Sequence, residues 1–184
     1  MSLVLLLLLA VVLLGYAVGG NVRRLKHVRI VGEPILLVAI VVQLVLPLLP
    51  WSRYLFYWLW LLSFPVMFLV CVSNLRKVGF AAIGSGVALN FIAIVSNGGM
   101  PVAAEAIIGA GYSGSPLNAV PSESLAHMLA SSETRLIVMG DIMSLPGPDV
   151  IQGVVSVGDV LLMVGITVFL VSAMLCREDK VQSV

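Results

Sequence analysis

One carboxyl group, two amides and a hydroxyl stand out in a chain that is otherwise nearly all hydrocarbon. Asp159 is the only carboxyl inside an apolar segment long enough to enter a bilayer. An acid in that position is a functional-site hypothesis by default. Three roles are open to it: a proton or cation site, a hydrogen-bond anchor for a ligand, or an amide-paired carboxyl that locks two helices together. Gln152, Ser156, Asp159 and Met163 recur at helical spacing on one face. Asn90 and Gln43 lie in two earlier apolar segments. Each amide needs a partner, because an unpaired one in hydrocarbon costs several kcal/mol. At about 1.5 Å per residue, Gln43 and Asn90 lie about 9–10 Å from one end of their segments, and Asp159 about 9–14 Å. The three side chains reach one depth, and we expect a buried polar layer of Gln43, Asn90, Ser156 and Asp159.

A second group roofs this layer. Asn97-Gly98-Gly99 ends an apolar segment, and glycine past the last turn is the usual left-handed stop. The same backbone could serve as an anion-binding nest. Gly140-Asp141 closes a later apolar run. Asp141 is either a turn acid that closes a cap onto a helix end, or a ligand or metal contact made with Asp149 or Glu105.

The elements that must position these residues are membrane helices. Sixty per cent of the 184 residues are hydrophobic and ten per cent are charged, whereas soluble domains are nearer half and a quarter. A span needs about 20 apolar residues. Five segments qualify: 3–18, 34–49, 54–72, 78–96 and 150–176. The first lacks a charged leader region and a small-residue cleavage site, so it reads as a retained span. Pro47 and Pro50 end the second, and Pro65 kinks the third, with Ser63 and Ser73 placed to relieve the freed groups. In the fourth, Ala82, Gly86, Asn90, Ala93 and Asn97 put small and polar residues on one face, which should point into the bundle. The fifth opens with Asp149-Val-Ile-Gln152, which has the spacing of a capping box. We therefore expect a single all-α domain over 1–184. It is a polytopic bundle of about five transmembrane helices, with a cap of short helices and loops at 97–149. The cap should hold one short helix in 102–110 and a second from Ser122 to Glu133.

Eight of the ten basic residues share one side: Arg23, Arg24, Lys26, Arg29, Arg76, Lys77, Arg177 and Lys180. The positive-inside rule makes that side cytoplasmic, leaving the N-terminus and the cap outside and the C-terminus inside. Trp51, Tyr54, Tyr57 and Trp58 then fall at the outer interface, where an aromatic belt belongs.

The chemistry is bounded by what is missing. Cys71 and Cys176 fall near cytoplasmic ends of spans, so we expect no disulfide. No histidine lies in a span, which excludes a haem held by two intramembrane histidines. There is no phosphate-binding loop, zinc-protease or nucleophile-elbow motif. We assign no catalytic residues, no metal and no cofactor, and no nucleic-acid partner follows from the near-zero net charge.

Asn90, the run Asn97-Gly-Gly-Met-Pro-Val102, Gly140-Asp141-Ile142 with Leu145-Pro146, and Ser156-Val-Gly158-Asp159 together resemble a family of small bacterial integral membrane proteins. It is catalogued as domain of unknown function 5317. The resemblance implies a bacterial cytoplasmic (inner) membrane and several spans, and it carries no activity. Three function classes follow. The first is a non-catalytic accessory or structural subunit of a larger membrane complex, favoured by the short loops and absent motifs. The second is a small transporter, channel or ligand-binding protein that uses the layer around Asp159. The third is an outer-face enzyme using Asp141, Asp149 or Asp159, which no nucleophile or metal cluster accompanies. The partners expected are the lipid bilayer and other membrane subunits.

Overall fold

Long apolar runs with few breakers fold as helices, and the punctuation is glycine. The computed structural model describes residues 2–46, 53–120, 126–148 and 152–176. Five long helices are α1 (Ser2–Ala17), α2 (Glu33–Val45), α3 (Arg53–Ser73), α4 (Phe80–Asn97) and α7 (Val157–Leu175). Two short ones, α5 (Ala104–Ala110) and α6 (Pro116–Ala119), lie between α4 and α7. Among the described residues three helices are long and apolar enough to cross a membrane: Leu55–Ser73, Phe80–Asn97 and Val157–Leu175. Leu6–Ala17 and Glu33–Val45 are apolar but shorter. Pro47, Pro50 and Trp51 lie outside the described residues, as do Arg177 and Lys180.

The centre of the bundle is the antiparallel pair α4 and α7, joined by glycines spaced seven apart on each helix. A Cβ on Gly86 would collide with the Gly158 carbonyl, and one on Gly79 with the Gly165 carbonyl. In reverse, a Cβ on Gly158 would lie 2.8 Å from the Gly86 oxygen, and one on Gly165 2.8 Å from the Gly79 oxygen. The two backbones touch, which is the close approach that small residues permit between apolar helices. Phe80 and Phe169 close the far end of the seam edge-to-face, with ring centroids 5.1 Å apart. On the other side of α4, Trp60, Leu61 and Phe64 of α3 pack with Val87, Ala93 and Ile94 into the apolar core. Helix α1 docks on the end of α7, where Met174 is fully buried against Gly15 and Gly20.

The end of the bundle that carries the loop arginines is tightly latched. The Asn21 amide and the Arg24 guanidinium both donate to the Met174 carbonyl at 2.9 Å, satisfying the C-terminus of α7. Asn74, 2% exposed, donates to the Val31 and Val70 carbonyls and accepts from the Val31 amide. Ser63 donates to the Trp60 carbonyl. That is one residue short of the Leu61 carbonyl that Pro65 leaves unpaired, so Ser63 does not repair the proline break.

The cap is where the structure departs from an all-helical expectation. Its described residues form four short strands: β1 (Met100–Val102), β2 (His127–Leu129), β3 (Met143–Leu145) and β4 (Gly153–Val155). Strands β1 and β2 pair in parallel, Met100 opposite His127, while β3 and β4 pair antiparallel, Met143 opposite Val155. The helix expected from Ser122 to Glu133 is not present over its described part, because Met128 and Leu129 belong to β2; Ser122 and Glu123 lie outside the described residues. The helix expected in 102–110 is α5. It packs on the β3–β4 hairpin, where Ser144 donates to the Ala106 carbonyl at 2.9 Å and Gln152 to the Ala110 carbonyl at 2.9 Å.

The fifth apolar segment is likewise divided. Residues 153–155 are strand, and the helix starts only at Val157. Gln152 is spent on α5, and the capping box belongs to Ser156 and Asp159 instead of Asp149 and Gln152. Strand and helix are equally apolar here, so hydropathy does not mark the boundary.

Candidate functional site

Ser156 opens α7 in extended backbone, and its hydroxyl accepts the Asp159 amide at 2.9 Å. In return Asp159 Oδ2 accepts the Ser156 amide at 3.0 Å. This reciprocal box satisfies two of the amides that every helix start leaves unpaired. It also places Asp159 in the first turn of α7, at the mouth of the helix and not 9–14 Å inside it as the segment 150–176 implied.

From the facing helix, Asn90 completes the node. Its Nδ2 donates to Asp159 Oδ1 at 2.7 Å, and its Oδ1 accepts the Ser156 hydroxyl at 2.9 Å. Gly158 is what admits this contact, since a Cβ there would overlap Asn90 Oδ1. Asn90 is 7% exposed and Ser156 is fully buried. Both carboxylate oxygens of Asp159 thus accept a hydrogen bond, and neither amide atom of Asn90 is idle.

Gln43 does not join the node. Its Nε2 donates to Ser63 Oγ at 2.6 Å and to the Trp60 carbonyl at 3.3 Å, tying α2 to α3. It nevertheless faces the same space. A cavity of about 300 Å³ lies where the bundle meets the cap, and Gln43, Asn90 and Asp159 all line it. Trp60 and Phe64 form an aromatic wall, and Met100 and Val154 belong to the cap side.

The roof is pinned by Asn97. Its Nδ2 donates to the Ala93 and Arg135 carbonyls at 2.8 Å, and its Oδ1 accepts the Arg135 amide at 2.8 Å. This clamp sits beside Leu136, whose φ of 51° is a left-handed conformation that leucine rarely adopts. Gly98 is the left-handed stop of α4, with φ 79°, and its amide reaches the Ile94 carbonyl. Gly99 leads directly into β1, with Met128 of β2 at ordinary contact distance from where its Cβ would be. Gly140 is needed for clearance, because a Cβ would lie 2.5 Å from the Pro101 carbonyl.

Gly140 brings in the residue that sets the character of the chamber. Asp141 bridges to Val102, its amide donating to Pro101 and its carbonyl accepting from Ala103. Its side chain lines the cavity and is 3% exposed. Oδ2 stands 3.7 Å from His127 Nε2, while Oδ1 is buried with no hydrogen-bond partner. Burial, and then the negative charge of Asp159, push the Asp141 carboxyl up to about 8. Burial also lowers His127, with Asp159 acting in the opposite direction. At neutral pH the Asp141 carboxyl therefore holds its proton.

Glu105 is in the first turn of α5 and does not line the cavity, and Asp149 lies outside the described residues. Among the described residues no group of three or more His, Cys, Asp or Glu side chains is arranged to hold a metal. Neither Cys71 nor Cys176 is in a disulfide. Sequence reasoning missed His127, which has no motif around it. Only the parallel register of β1 on β2, and Asp141 beside β1, place it at the chamber. The sequence did carry a signal for the true start of α7, because Ser156-x-x-Asp159 before an apolar run is a capping-box pattern.

A family model described as "Family of unknown function (DUF5317)" matches residues 24–171, and the chain belongs to that family. No curated protein and no solved structure matches it.

Proposed function

We propose that this family member is a multi-pass protein of the bacterial cytoplasmic membrane that binds a small ligand in the chamber between its helix bundle and its cap. The observation that carries the reading is Asp141: a carboxyl 3% exposed, facing a cavity of about 300 Å³, with one oxygen unpaired. Buried polar groups are almost always satisfied, so a cavity-lining carboxyl that keeps one buried oxygen unpaired is a group short of a partner. Small-molecule sites are concave, partly apolar, and carry a few convergent polar groups. The chamber has that make-up, and no serine, threonine, cysteine or lysine is among its described lining residues, so we read binding or passage in preference to catalysis.

In this reading all five long helices, α1 to α4 and α7, lie in the membrane, with α1 and α2 completed across the interface by flanking residues. The cap faces outward, and the end bearing Arg23, Arg24, Lys26, Arg76 and Lys77 faces the cytoplasm. Asp159, at the mouth of α7, then meets the ligand at the level of the membrane surface.

A second reading, as an accessory subunit of a larger complex, is favoured by the outer helices. Leu9 and Leu13 on α1 and Ile35 and Val38 on α2 are more than half exposed. Lipid covers such faces, and so would neighbouring subunits. Native mass analysis of the protein taken from its own membrane in mild detergent separates the two. A lone chain or small homo-oligomer carrying a bound small molecule supports the chamber reading. Fixed stoichiometric partner chains and an empty chamber would replace it with the subunit reading.

A further inference from the structure

Resting on the chamber reading above, we propose that the ligand is a small organic ammonium ion held between Asp141 and Asp159, with its apolar flank against Trp60 and Phe64. Charge decides the class first. Two carboxyls line the cavity, and no lysine or arginine is among its described lining residues. An anion would meet two acids and no cationic partner beyond His127. A cation meets complementary charge.

Hydrogen bonding decides next. Asp159 already accepts from Asn90 and from the Ser156 amide, so its orientation is fixed before any ligand arrives. Asp141 Oδ1 accepts nothing. Once Asp141 gives up its proton both of its oxygens are acceptors, and an ammonium brings three donors. A bare metal ion is a poor alternative. Calcium wants six to eight oxygen ligands, and no metal-holding group of three or more acid, histidine or cysteine side chains exists among the described residues. The walls favour an organic ion. Trp60 and Phe64 are 5% and 7% exposed and stand edge-to-face with centroids 5.2 Å apart. Such rings attract an ammonium or shelter the carbon attached to it.

Binding also moves a proton. Without a ligand, burial and then the nearby charge of Asp159 favour the neutral acid form of Asp141. An arriving ammonium supplies the opposite charge, so R–NH3+ and the Asp141 carboxylic acid give an ammonium–carboxylate pair and one released proton. Two ionisable side chains face Asp141: Asp159 across the cavity and His127 at 3.7 Å. The His127 side chain is half exposed and so offers the proton a way out.

The test uses the full chain in lipid nanodiscs, titrated calorimetrically at neutral pH in two buffers of different ionisation heat. The probes are 2-phenylethylamine, 2-phenylethanol and phenylacetate, which share a ring and differ in head-group charge. The amine should bind at least ~10-fold more tightly than the alcohol or the acid, a difference of about 1.4 kcal/mol, and release roughly one proton per ligand. Asp141→Asn should weaken the amine by at least ~10-fold and abolish the proton release. Should that variant fail to accumulate, Asp159→Asn applies the same comparison, and the probe series on the native chain needs no variant. Equal binding of alcohol and amine, or an amine affinity indifferent to both variants, would overturn the ammonium assignment while leaving the chamber a ligand site. No binding by any probe, together with an empty chamber in the native mass analysis, would overturn both. Repeating the titration with and without phosphatidylethanolamine in the discs identifies the source of the ammonium: competition assigns the lipid head group, and its absence a free amine.

Discussion

The two ends of this bundle solve the same problem differently. At the end bearing the loop arginines, the polar groups of the latch meet one another. Asn74 engages both sides of Val31 and the Val70 carbonyl, and Asn21 and Arg24 share the Met174 carbonyl. At the cap end, the Asn90–Ser156–Asp159 node is equally complete, but Asp141 above it is not. Both ends hang on the same glycine seam of α4 and α7, so looseness of the helices does not explain the difference. One end is a latch. The other is a hydrogen-bonded frame around a space.

Breaking what the ends share should cost most. Gly158→Leu forces a side chain into Asn90 and the Gly86 carbonyl. We expect a loss of at least ~3 kcal/mol, seen as failure to yield monodisperse protein in detergent. Asn74→Ala breaks the latch alone. It strands the Val31 amide and two carbonyls, for about 2–3 kcal/mol, and should lower the midpoint of thermal unfolding without changing ligand binding at the cap. Asn90→Ala breaks the frame alone, leaving Asp159 Oδ1 and the Ser156 hydroxyl short of a partner. It should cost about 1–3 kcal/mol and weaken ligand binding as well. That pair of outcomes sharpens the contrast, since two buried asparagines would differ in function and not merely in stability. Ser156→Ala is the mildest, a lost N-cap worth about 1 kcal/mol in thermal unfolding, with somewhat more if the Asn90 contact counts separately.

How much of this was legible in the sequence differs by region, for physical reasons. The face of α4 expected to point into the bundle could be read in part: of Ala82, Gly86, Asn90, Ala93 and Asn97, the middle three are buried and the outer two half-buried. The helix stop at Gly98 was equally plain, because a left-handed turn favours glycine. Helices α1 to α4 fall within a few residues of their apolar segments over their described parts, whereas α7 starts at Val157, well inside the segment 150–176. The cap was not legible. Its strands are three residues long, too short to show an alternating pattern, and their partners are distant in sequence. The depth of Asp159 was misjudged because an apolar strand runs straight into an apolar helix. Gln43 was placed with Asn90 and Asp159 by depth alone. It faces the same cavity, but its bonds go to α3, a choice that depth along a helix does not determine.

The claim on which the chamber rests is that Asp141 is a buried, unpaired carboxyl. Burial, and then the charge of Asp159, hold its folded carboxyl at about 8, above the 3.8 of the free side chain. Between those limits the folded chain holds a proton that the unfolded chain has released. Its contribution to stability is full below the lower value and is lost as pH rises through the upper one. The direct measurement is unfolding stability from acid to alkaline pH for the native chain and for Asp141→Asn, without ligand. The native chain should lose stability steadily as pH rises toward about 8, with the variant flatter and more stable than the native chain at the alkaline end. Parallel curves would contradict the account, because they would mean that Asp141 is solvated or already paired and that the chamber has no vacant partner to recruit.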